Sequence, residues 1–245
     1  MFRSFLQPLF RDASTFVMDL LFPIRCLICE TEGPNFICTD CGPLLSKVDF
    51  QICIVCKKPS LGGFTHPPCQ SPHTADGLIS IFDYHDQNVA EILIQGKYSF
   101  IPQIYKELGV LMAERLTQNY PGLLKATPYA LTATPLHWMR QNWRGFNQSK
   151  VLADSLANAI GLQAVDALRR KKITKTQKNL KREERIKNVE SAFGILPGFP
   201  KANLKGASFI LVDDVTTTGS TLLEAAKVLK RNGAQKVFCL TVARD

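Results

Sequence analysis

The fold class predicted by the sequence is an α/β fold with a mostly parallel sheet, and three observations predict it. Short apolar runs with strand composition alternate with amphipathic helical segments. The run Phe209–Val212 is continuously apolar, as expected for a strand buried on both faces. This run ends at Asp213 and Asp214, and a loop of small polar residues then leads into another helical segment. A strand, a loop and a helix N-terminus in this order form a common anion-binding unit.

The alternation extends from residue 73 to residue 245, which we predict to be one domain. Strands are predicted at 77–84, 129–134, 209–212 and 236–242, and helices at 88–97, 104–119, 149–160 and 222–231. Gly161 and the pair Asn232-Gly233 are the expected ends of two helices. The T-x-x-E sequence from Thr221 to Glu224 predicts a capping box at the start of the last helix.

Residues 1–24 are predicted to form a separate amphipathic helix. Its apolar stripe either packs on the body of the protein or docks on a membrane surface or a partner helix. The segment lacks the continuous apolar stretch and the cleavage site of a signal peptide. No apolar run approaches the roughly 18 residues of a membrane span. A cytoplasmic protein without a membrane span is therefore expected.

Seven of the eight cysteines lie between residues 26 and 69. They and one histidine form four pairs at metal-knuckle spacing: Cys26 with Cys29, Cys38 with Cys41, Cys53 with Cys56, and His66 with Cys69. Eight ligands satisfy two structural zinc ions, which predicts a double-zinc module over residues 25–72. One zinc with unused thiols and a thiol redox site are the alternatives. The spacing does not determine which pairs share an ion. Cys239 lies in an apolar run and is predicted to be core.

The net charge of +9 is concentrated in one segment. From Arg169 to Lys187, ten lysines and arginines stand against two glutamates, a net charge of +8. This basic run favours a polyanionic partner, either nucleic acid or pyrophosphate. A solvated loop without a ligand is the alternative.

The two aspartates place negative charge directly before the anion-binding loop. This combination favours a ligand that has both hydroxyl groups and a phosphate, such as ribose 5-phosphate. The carboxylates accept hydrogen bonds from ribose hydroxyls, and the loop holds the phosphate. The predicted loop residues are Thr216, Thr217, Thr218, Gly219, Ser220 and Thr221.

A second cluster of polar and aromatic residues follows the predicted strand 129–134. It contains His137, Arg140 and Arg144 together with Trp138, Trp143 and Phe146. Loops after parallel strands lie at the sheet edge where ligands bind in open α/β folds. Lys97, at the end of a predicted helix, either stabilises that helix terminus or reaches into a phosphate site.

The ordered set of motifs resembles the ComF/GntX-like family. It consists of the cysteine-rich N-terminus, the segment Thr134–Leu136, the string RGFNQ at 144–148, and VDDVTTTGST at 212–221. The last of these resembles the 5-phosphoribosyl 1-pyrophosphate (PRPP) motif of type I phosphoribosyltransferases. His66 stands where relatives often have a cysteine, a replacement that zinc tolerates.

The resemblance implies a Rossmann-like type I phosphoribosyltransferase fold with a small zinc-ribbon-like module. It implies PRPP and Mg²⁺ as ligands, Asp213 and Asp214 at the ribose, 217–221 at the 5-phosphate, and Arg140 and Arg144 at the pyrophosphate. It also implies that Thr176, Gln177, Leu180, Arg182 and Asn188 lie in a loop that closes over PRPP. Phosphoribosyl transfer in natural competence is the implied role, with single-stranded DNA and competence-machinery proteins as partners. The alternative is a non-catalytic, PRPP-responsive factor that binds single-stranded DNA.

Overall fold

The computed structural model describes residues 23–172 and 189–245. These residues belong to two compact units, one ending at Leu44 and the other comprising Leu45–Asp245. The predicted helix over residues 1–24 lies almost entirely outside the described residues. Most of the basic run does too, including all five residues of the implied closing loop. The domain limits at residues 24 and 72 stay predictions.

A five-stranded parallel sheet forms the centre of the larger unit, which confirms the predicted fold class. In chain order, the strands of the described residues are β1 (Gly77–Asp83), β2 (Tyr129–Ala133), β3 (Gln163–Ala164), β4 (Leu168–Arg170), β5 (Phe193–Ile195), β6 (Ser208–Thr216) and β7 (Lys236–Arg244). The sheet order is β1-β7-β6-β2-β3, and β4 and β5 form a separate antiparallel ribbon.

The central strand β6 is longer than its apolar run predicts. Phe209–Val212 is fully buried, as expected for a strand covered on both faces. Pairing with β7 then continues to the register pair Thr216 with Arg244. The strand therefore does not end at the carboxylates, because β7 supplies backbone partners beyond them. Asp213 and Asp214 lie near the carboxyl end of the most central strand.

Six α-helices lie in the described part of the chain. They are α1 (Gln87–Tyr98), α2 (Pro102–Asn119), α3 (Pro121–Ala126), α4 (Trp138–Arg144), α5 (Gln148–Ile160) and α6 (Ser220–Arg231). The four helices predicted from periodicity are found, with boundaries that differ by at most two residues. Gly161 ends α5 in the left-handed conformation, with φ 69°, as predicted. The short helices α3 and α4 were not predicted, since each has fewer residues than a clear apolar period requires.

The predicted capping box at the start of α6 is wrong. The N-cap residue is Gly219, whose left-handed φ of 72° turns the chain out of the loop, and it makes no side-chain cap. Thr221 therefore lies inside the first turn. Glu224 instead accepts a hydrogen bond from the backbone N–H of Ser191, at 2.9 Å.

The exposed edge of β1 is covered by the chain that precedes it. Isolated bridges join Lys47 to Phe82 and Phe64 to Gly77, near the two ends of the strand. Between them, the side-chain amide of Gln51 exchanges two hydrogen bonds of 2.9 Å with the backbone of Ser80. An uncovered strand edge is a site of unwanted pairing, so this cover protects the sheet. The segment from residue 45 onward is thus an integral part of the larger unit.

The smaller unit, described from residue 23 to residue 44, has little apolar core. Apart from cysteines, Ile37 is the only buried apolar side chain among these residues. Turns hold the backbone, with Glu30 N–H donating to Cys26 O at 2.9 Å and Gly42 N–H donating to Cys38 O at 3.0 Å. Within the two described ranges, no helix is both long and apolar enough to cross a membrane.

Candidate functional site

Two adjacent carboxylates stand near the carboxyl end of β6. Asp213 Oδ1 accepts hydrogen bonds from Ser149 Oγ at 2.8 Å and from the Asp214 N–H at 3.0 Å. Burial, followed by the negative charge of Asp214, raises the pKa of Asp213 to about 6. The carboxyl group of Asp213 is therefore held at a fixed position, and burial makes its charge sensitive to its neighbours.

Ser149 and Thr134 position Asp213, a role that the sequence did not reveal. Thr134 Oγ1 donates to Ser149 Oγ at 3.1 Å, and Asn147 Nδ2 donates to the carbonyl of Thr134 at 3.1 Å. Asn147 also caps α5 by accepting from the Ser149 N–H at 3.1 Å. The RGFNQ string and the serine after it therefore tie the end of β2 to the carboxylate on β6. The feature of the sequence that could have indicated this role is Asn147, a residue type that often caps helices, directly after the predicted loop.

Lys97 contacts the same carboxylate pair from the end of α1. Its Nζ lies 2.9 Å from Asp214 Oδ2, and both side chains are largely buried. Burial alone would lower the pKa of Lys97, but the charge of Asp214 and the hydrogen bond to it raise that pKa. The ammonium of Lys97 therefore lies beside the carboxylate pair, and its contact with a phosphate stays a prediction.

The six residues predicted to form the loop are divided between three elements: Thr216 is the last residue of β6, residues 217–219 form the turn, and Ser220 and Thr221 begin α6. Thr216 and Ser220 are buried, and Thr217, Thr218 and Thr221 are partly buried. The hydroxyls of Thr218 and Ser220 hydrogen-bond at 2.8 Å. The loop thus brings hydroxyl groups and the N-terminus of α6 close to the carboxylates, which is the composition of an oxyanion site.

Arg140 and Arg144 both lie in α4, within the segment that was predicted to be a loop. The helix forms because His137 caps it, with Nδ1 accepting from the Met139 N–H at 3.3 Å, and it ends at the left-handed Gly145. The side chain of Arg140 is not among those described. Among the described residues, Arg144 Nε is shielded from solvent and has no hydrogen-bond partner, which suits a group that receives an anion.

The hydroxyl group of Tyr105 is influenced by both Asp214 and Arg144. Burial and the charge of Asp214 raise the pKa of its hydroxyl, while the charge of Arg144 opposes that rise. Arg144 therefore acts electrostatically on the same region as the carboxylate pair.

The predicted aromatic cluster divides into two parts. Phe146 is half-buried and packs edge-on against Tyr105, with ring centroids 5.9 Å apart, so it fills the core. Trp138 and Trp143 are exposed, and Trp143 contacts the rings of Phe100 and Tyr98 at centroid distances of 5.4 and 6.5 Å. The rings of Tyr98, Phe100 and Trp143 thus form an exposed aromatic surface directly after Lys97.

The first four cysteines converge on one point. The Sγ atoms of Cys26, Cys29, Cys38 and Cys41 all lie within 4.8 Å of one another. Two sulfur ligands held about 2.3 Å from a tetrahedral zinc ion lie about 3.8 Å apart. The observed separation between Cys29 Sγ and Cys38 Sγ is 3.8 Å. Hydrogen bonds from Thr31 lower the pKa of Cys29 to about 6, which favours the thiolate that a metal binds.

A second group lies in the larger unit. The ligand atoms of Cys53, Cys56 and His66 lie within 4.8 Å of one another, and Cys56 Sγ is 3.3 Å from His66 Nδ1. Cys69 is outside that three-residue group, but desolvation and hydrogen bonds with Cys56 and Cys53 raise its pKa to about 11, so it is a neighbour. Pairs that are consecutive in the sequence therefore share a site, an arrangement that spacing alone had left open. Both groups have donor sets that suit a metal ion.

The family model described as "Phosphoribosyl transferase domain" matches residues 147–245, a range that contains α5, β6, α6 and β7. Together with the parallel sheet and the carboxylate pair near the end of its central strand, this match defines the larger unit as a type I phosphoribosyltransferase fold.

Similar proteins identify the family within this fold class. The chain is 33% identical over 233 residues to DNA utilization protein YhgH of Escherichia coli strain K12, an alignment that covers 90% of this chain and 98% of the relative. It is 34% identical over 118 residues to Competence protein F of Haemophilus influenzae, covering 48% and 51% of the two chains. It is 27% identical over 217 residues to Competence protein ComFC of Bacillus subtilis, covering 85% and 84%. The chain belongs to the ComF-like phosphoribosyltransferase family.

Proposed function

We propose that this protein binds PRPP together with Mg²⁺ and acts in DNA uptake and transformation during natural competence, transferring the phosphoribosyl group to an acceptor. The observation that carries the proposal is the arrangement of Asp213, Asp214 and Lys97 beside the loop at the start of α6. A carboxylate pair next to an oxyanion loop matches a ligand with two adjacent hydroxyls and a phosphate. The names of the curated relatives support the biological part.

In this proposal each part of the site binds one part of PRPP. Asp213 and Asp214 accept hydrogen bonds from the ribose hydroxyls, and Ser149 keeps Asp213 in position. The loop residues 217–221 and the N-terminus of α6 hold the 5-phosphate. Arg140 and Arg144 bind the pyrophosphate, and Lys97 contributes a third positive charge near it.

The reaction that fits this site is displacement of pyrophosphate at the anomeric carbon of the ribose. The bond to pyrophosphate breaks, the acceptor forms a new bond to that carbon, and the bonding electron pair leaves with the pyrophosphate. Arginine and lysine side chains stabilise the negative charge that develops on the leaving group. Bound Mg²⁺ supplies further charge neutralisation and suits oxygen ligands of this kind. The protein therefore needs no nucleophile of its own.

The two cysteine groups are proposed to hold one structural zinc ion each, with Cys69 completing the second site. We propose residues 25–72 as the zinc-binding region and the cytoplasm as the location. Competence-machinery proteins are the proposed macromolecular partners.

Release of pyrophosphate from PRPP tests the transferase. With Mg²⁺ and a pool of nucleobases and nucleotides, we expect turnover that Arg144→Met lowers at least tenfold, because one leaving-group contact is lost. The matched control is Arg231→Met, which removes a charge from an exposed position at the end of α6. Turnover that is absent from the wild-type protein with every acceptor pool contradicts the transferase.

A second candidate function is binding of single-stranded DNA without required catalysis. The exposed rings of Tyr98, Phe100 and Trp143 favour it, because aromatic side chains stack on bases of any sequence. Exposed positive charges at Arg169, Lys171 and Lys172, where the described part of the basic run ends, supply phosphate contacts.

For this candidate, we expect Trp143→Ala to weaken binding of an oligothymidine roughly 5- to 100-fold, the loss typical of one stacked base. Phe50→Ala, which truncates an exposed ring elsewhere, is the control. Neutralising Arg169, Lys171 and Lys172 should flatten the salt dependence measured by fluorescence anisotropy. Unchanged affinity after that neutralisation removes the basis of the DNA-binding hypothesis.

A further inference from the structure

Lys57 belongs to the second cysteine knuckle and lies against the glycine of the β6–α6 loop. A Cβ atom built on Gly219 would be 2.9 Å from Lys57 Nζ and 3.1 Å from Ile54 Cγ1. The left-handed backbone of Gly219 favours glycine, and a side chain there would have to displace the ammonium of Lys57. The ammonium group of the knuckle stands directly at the first turn of α6, where the phosphate loop ends.

The backbone of the knuckle does not itself require a lysine at this position. Lys57 adopts a left-handed conformation, with φ 65°, and its N–H donates to Cys53 O at 2.9 Å. The first knuckle repeats this turn with Glu30, at φ 60°, whose N–H donates to Cys26 O at 2.9 Å. The same turn thus carries opposite charges in the two knuckles. The turn geometry therefore does not dictate the charge of the residue at this position.

Packing fixes the knuckle over the loop. Ile54 is fully buried in the hydrophobic cluster that also contains Leu211 of β6 and Leu222 of α6. Because the side chain of Ile54 is anchored between the same strand and helix that form the loop, the adjacent turn cannot move away without opening the core. Lys57 is therefore held in place from both sides, by the Cys53–Cys56 turn and by this packing.

The ammonium of Lys57 and the N-terminus of α6 both favour an anion at the same place. A helix N-terminus carries partial positive charge and attracts anions, and an ammonium beside it adds a full positive charge. A phosphate placed between the N-terminus and the ammonium would be attracted by both. The Nζ atom is also shielded from solvent, which strengthens its attraction to such an anion.

We propose that Lys57 binds the 5-phosphate of the ribose ligand, so that the Cys53, Cys56 and His66 group forms one wall of the phosphate site. The inference rests on the proposed function and adds a residue that lies outside the region matched by the phosphoribosyltransferase family model. Metal bound to this group then supports ligand affinity by holding the turn that presents Lys57.

Binding of ribose 5-phosphate without Mg²⁺ tests the proposal by calorimetry. Lys57→Met keeps the length of the side chain but removes the ammonium, and we expect it to weaken binding roughly 10- to 100-fold, the effect of one charged hydrogen bond. Lys58→Met is the matched control, since it removes an exposed positive charge from the same knuckle. Inorganic pyrophosphate should bind the wild-type protein and both variants equally.

The contribution of the bound metal to ligand affinity is tested by a separate measurement. Stripping the metal with a chelator should lower the affinity of the wild-type protein for ribose 5-phosphate and change that of Lys57→Met much less. Equal affinities of wild type, Lys57→Met and Lys58→Met overturn the assignment of Lys57, as does a loss confined to pyrophosphate. Unchanged wild-type affinity after stripping overturns the metal coupling. A wild-type protein that binds neither PRPP with Mg²⁺ nor ribose 5-phosphate instead contradicts the proposed function.

Discussion

Replacing Asp213 and Asp214 together by asparagine is expected to weaken PRPP binding by more than a hundredfold. Each carboxylate is assigned to a ribose hydroxyl, and one hydrogen bond to a charged group contributes roughly 1.5–3 kcal/mol. The amide oxygen of an asparagine at 213 still accepts from Ser149, so the variant keeps the shape of the site while losing its charge. Calorimetry with PRPP and Mg²⁺ measures the loss.

The control for that variant removes the same two charges elsewhere. Asp154 and Asp166 form an exposed ion-pair cluster with Lys150, so changing both to asparagine should alter PRPP affinity and stability little. Both double variants should keep the wild-type zinc content. Retained PRPP affinity in the Asp213 and Asp214 variant would make the assignment of the site wrong. A transformation assay with the same variant then separates ligand binding from biological role.

The sheet could be predicted from the sequence because its strands are local patterns. The apolar run 209–212 and the run that became β7 are each continuous, and central parallel strands require that composition. The position of Asp213 and Asp214 near the carboxyl edge of the sheet followed, since they come directly after such a run. What the run did not show was how far β6 continues, because that depends on the length of its partner β7.

The contacts that complete the site are not local and could not be predicted. Ser149 reaches Asp213 across 64 positions of sequence. Lys97 reaches Asp214 from α1, a helix that lies far before β6 in the sequence. Lys57 contacts Gly219 only because Ile54 is packed in the core beneath the loop. Each depends on which strands are neighbours, and apolar periodicity carries no such information.

The capping-box prediction failed for a different reason. The T-x-x-E pattern is real in the sequence, but a capping residue needs a non-helical backbone at its own position. Gly219 takes that position because the chain turns there in the left-handed conformation, with φ 72°. This turn places the helix start two residues earlier than predicted and leaves Thr221 inside the helix.

Removing metal from the smaller unit is expected to unfold its described residues, 23–44, while the sheet of the larger unit stays folded. Ile37 and the cysteines supply nearly all of the burial there, which is far too little apolar area to offset the entropy of ordering the chain. Metal binding to cysteine ligands supplies the missing free energy in such modules. Amide hydrogen exchange should show that a chelator removes the protection of Cys26, Leu27 and Cys41, and that zinc restores it.

Cysteine substitutions decide whether this protection comes from the four-cysteine group. Cys38→Ser with Cys41→Ser should lower the zinc content from two ions to one and expose the peptide bond after Arg25 to trypsin, since half of the ligands are lost. Cys239→Ala is the control, because this buried thiol belongs to the core of the sheet rather than to either group. It should cost some thermal stability through a small cavity and leave the zinc content at two. Protection that survives both chelation and the double serine variant would show that backbone turns alone hold residues 23–44.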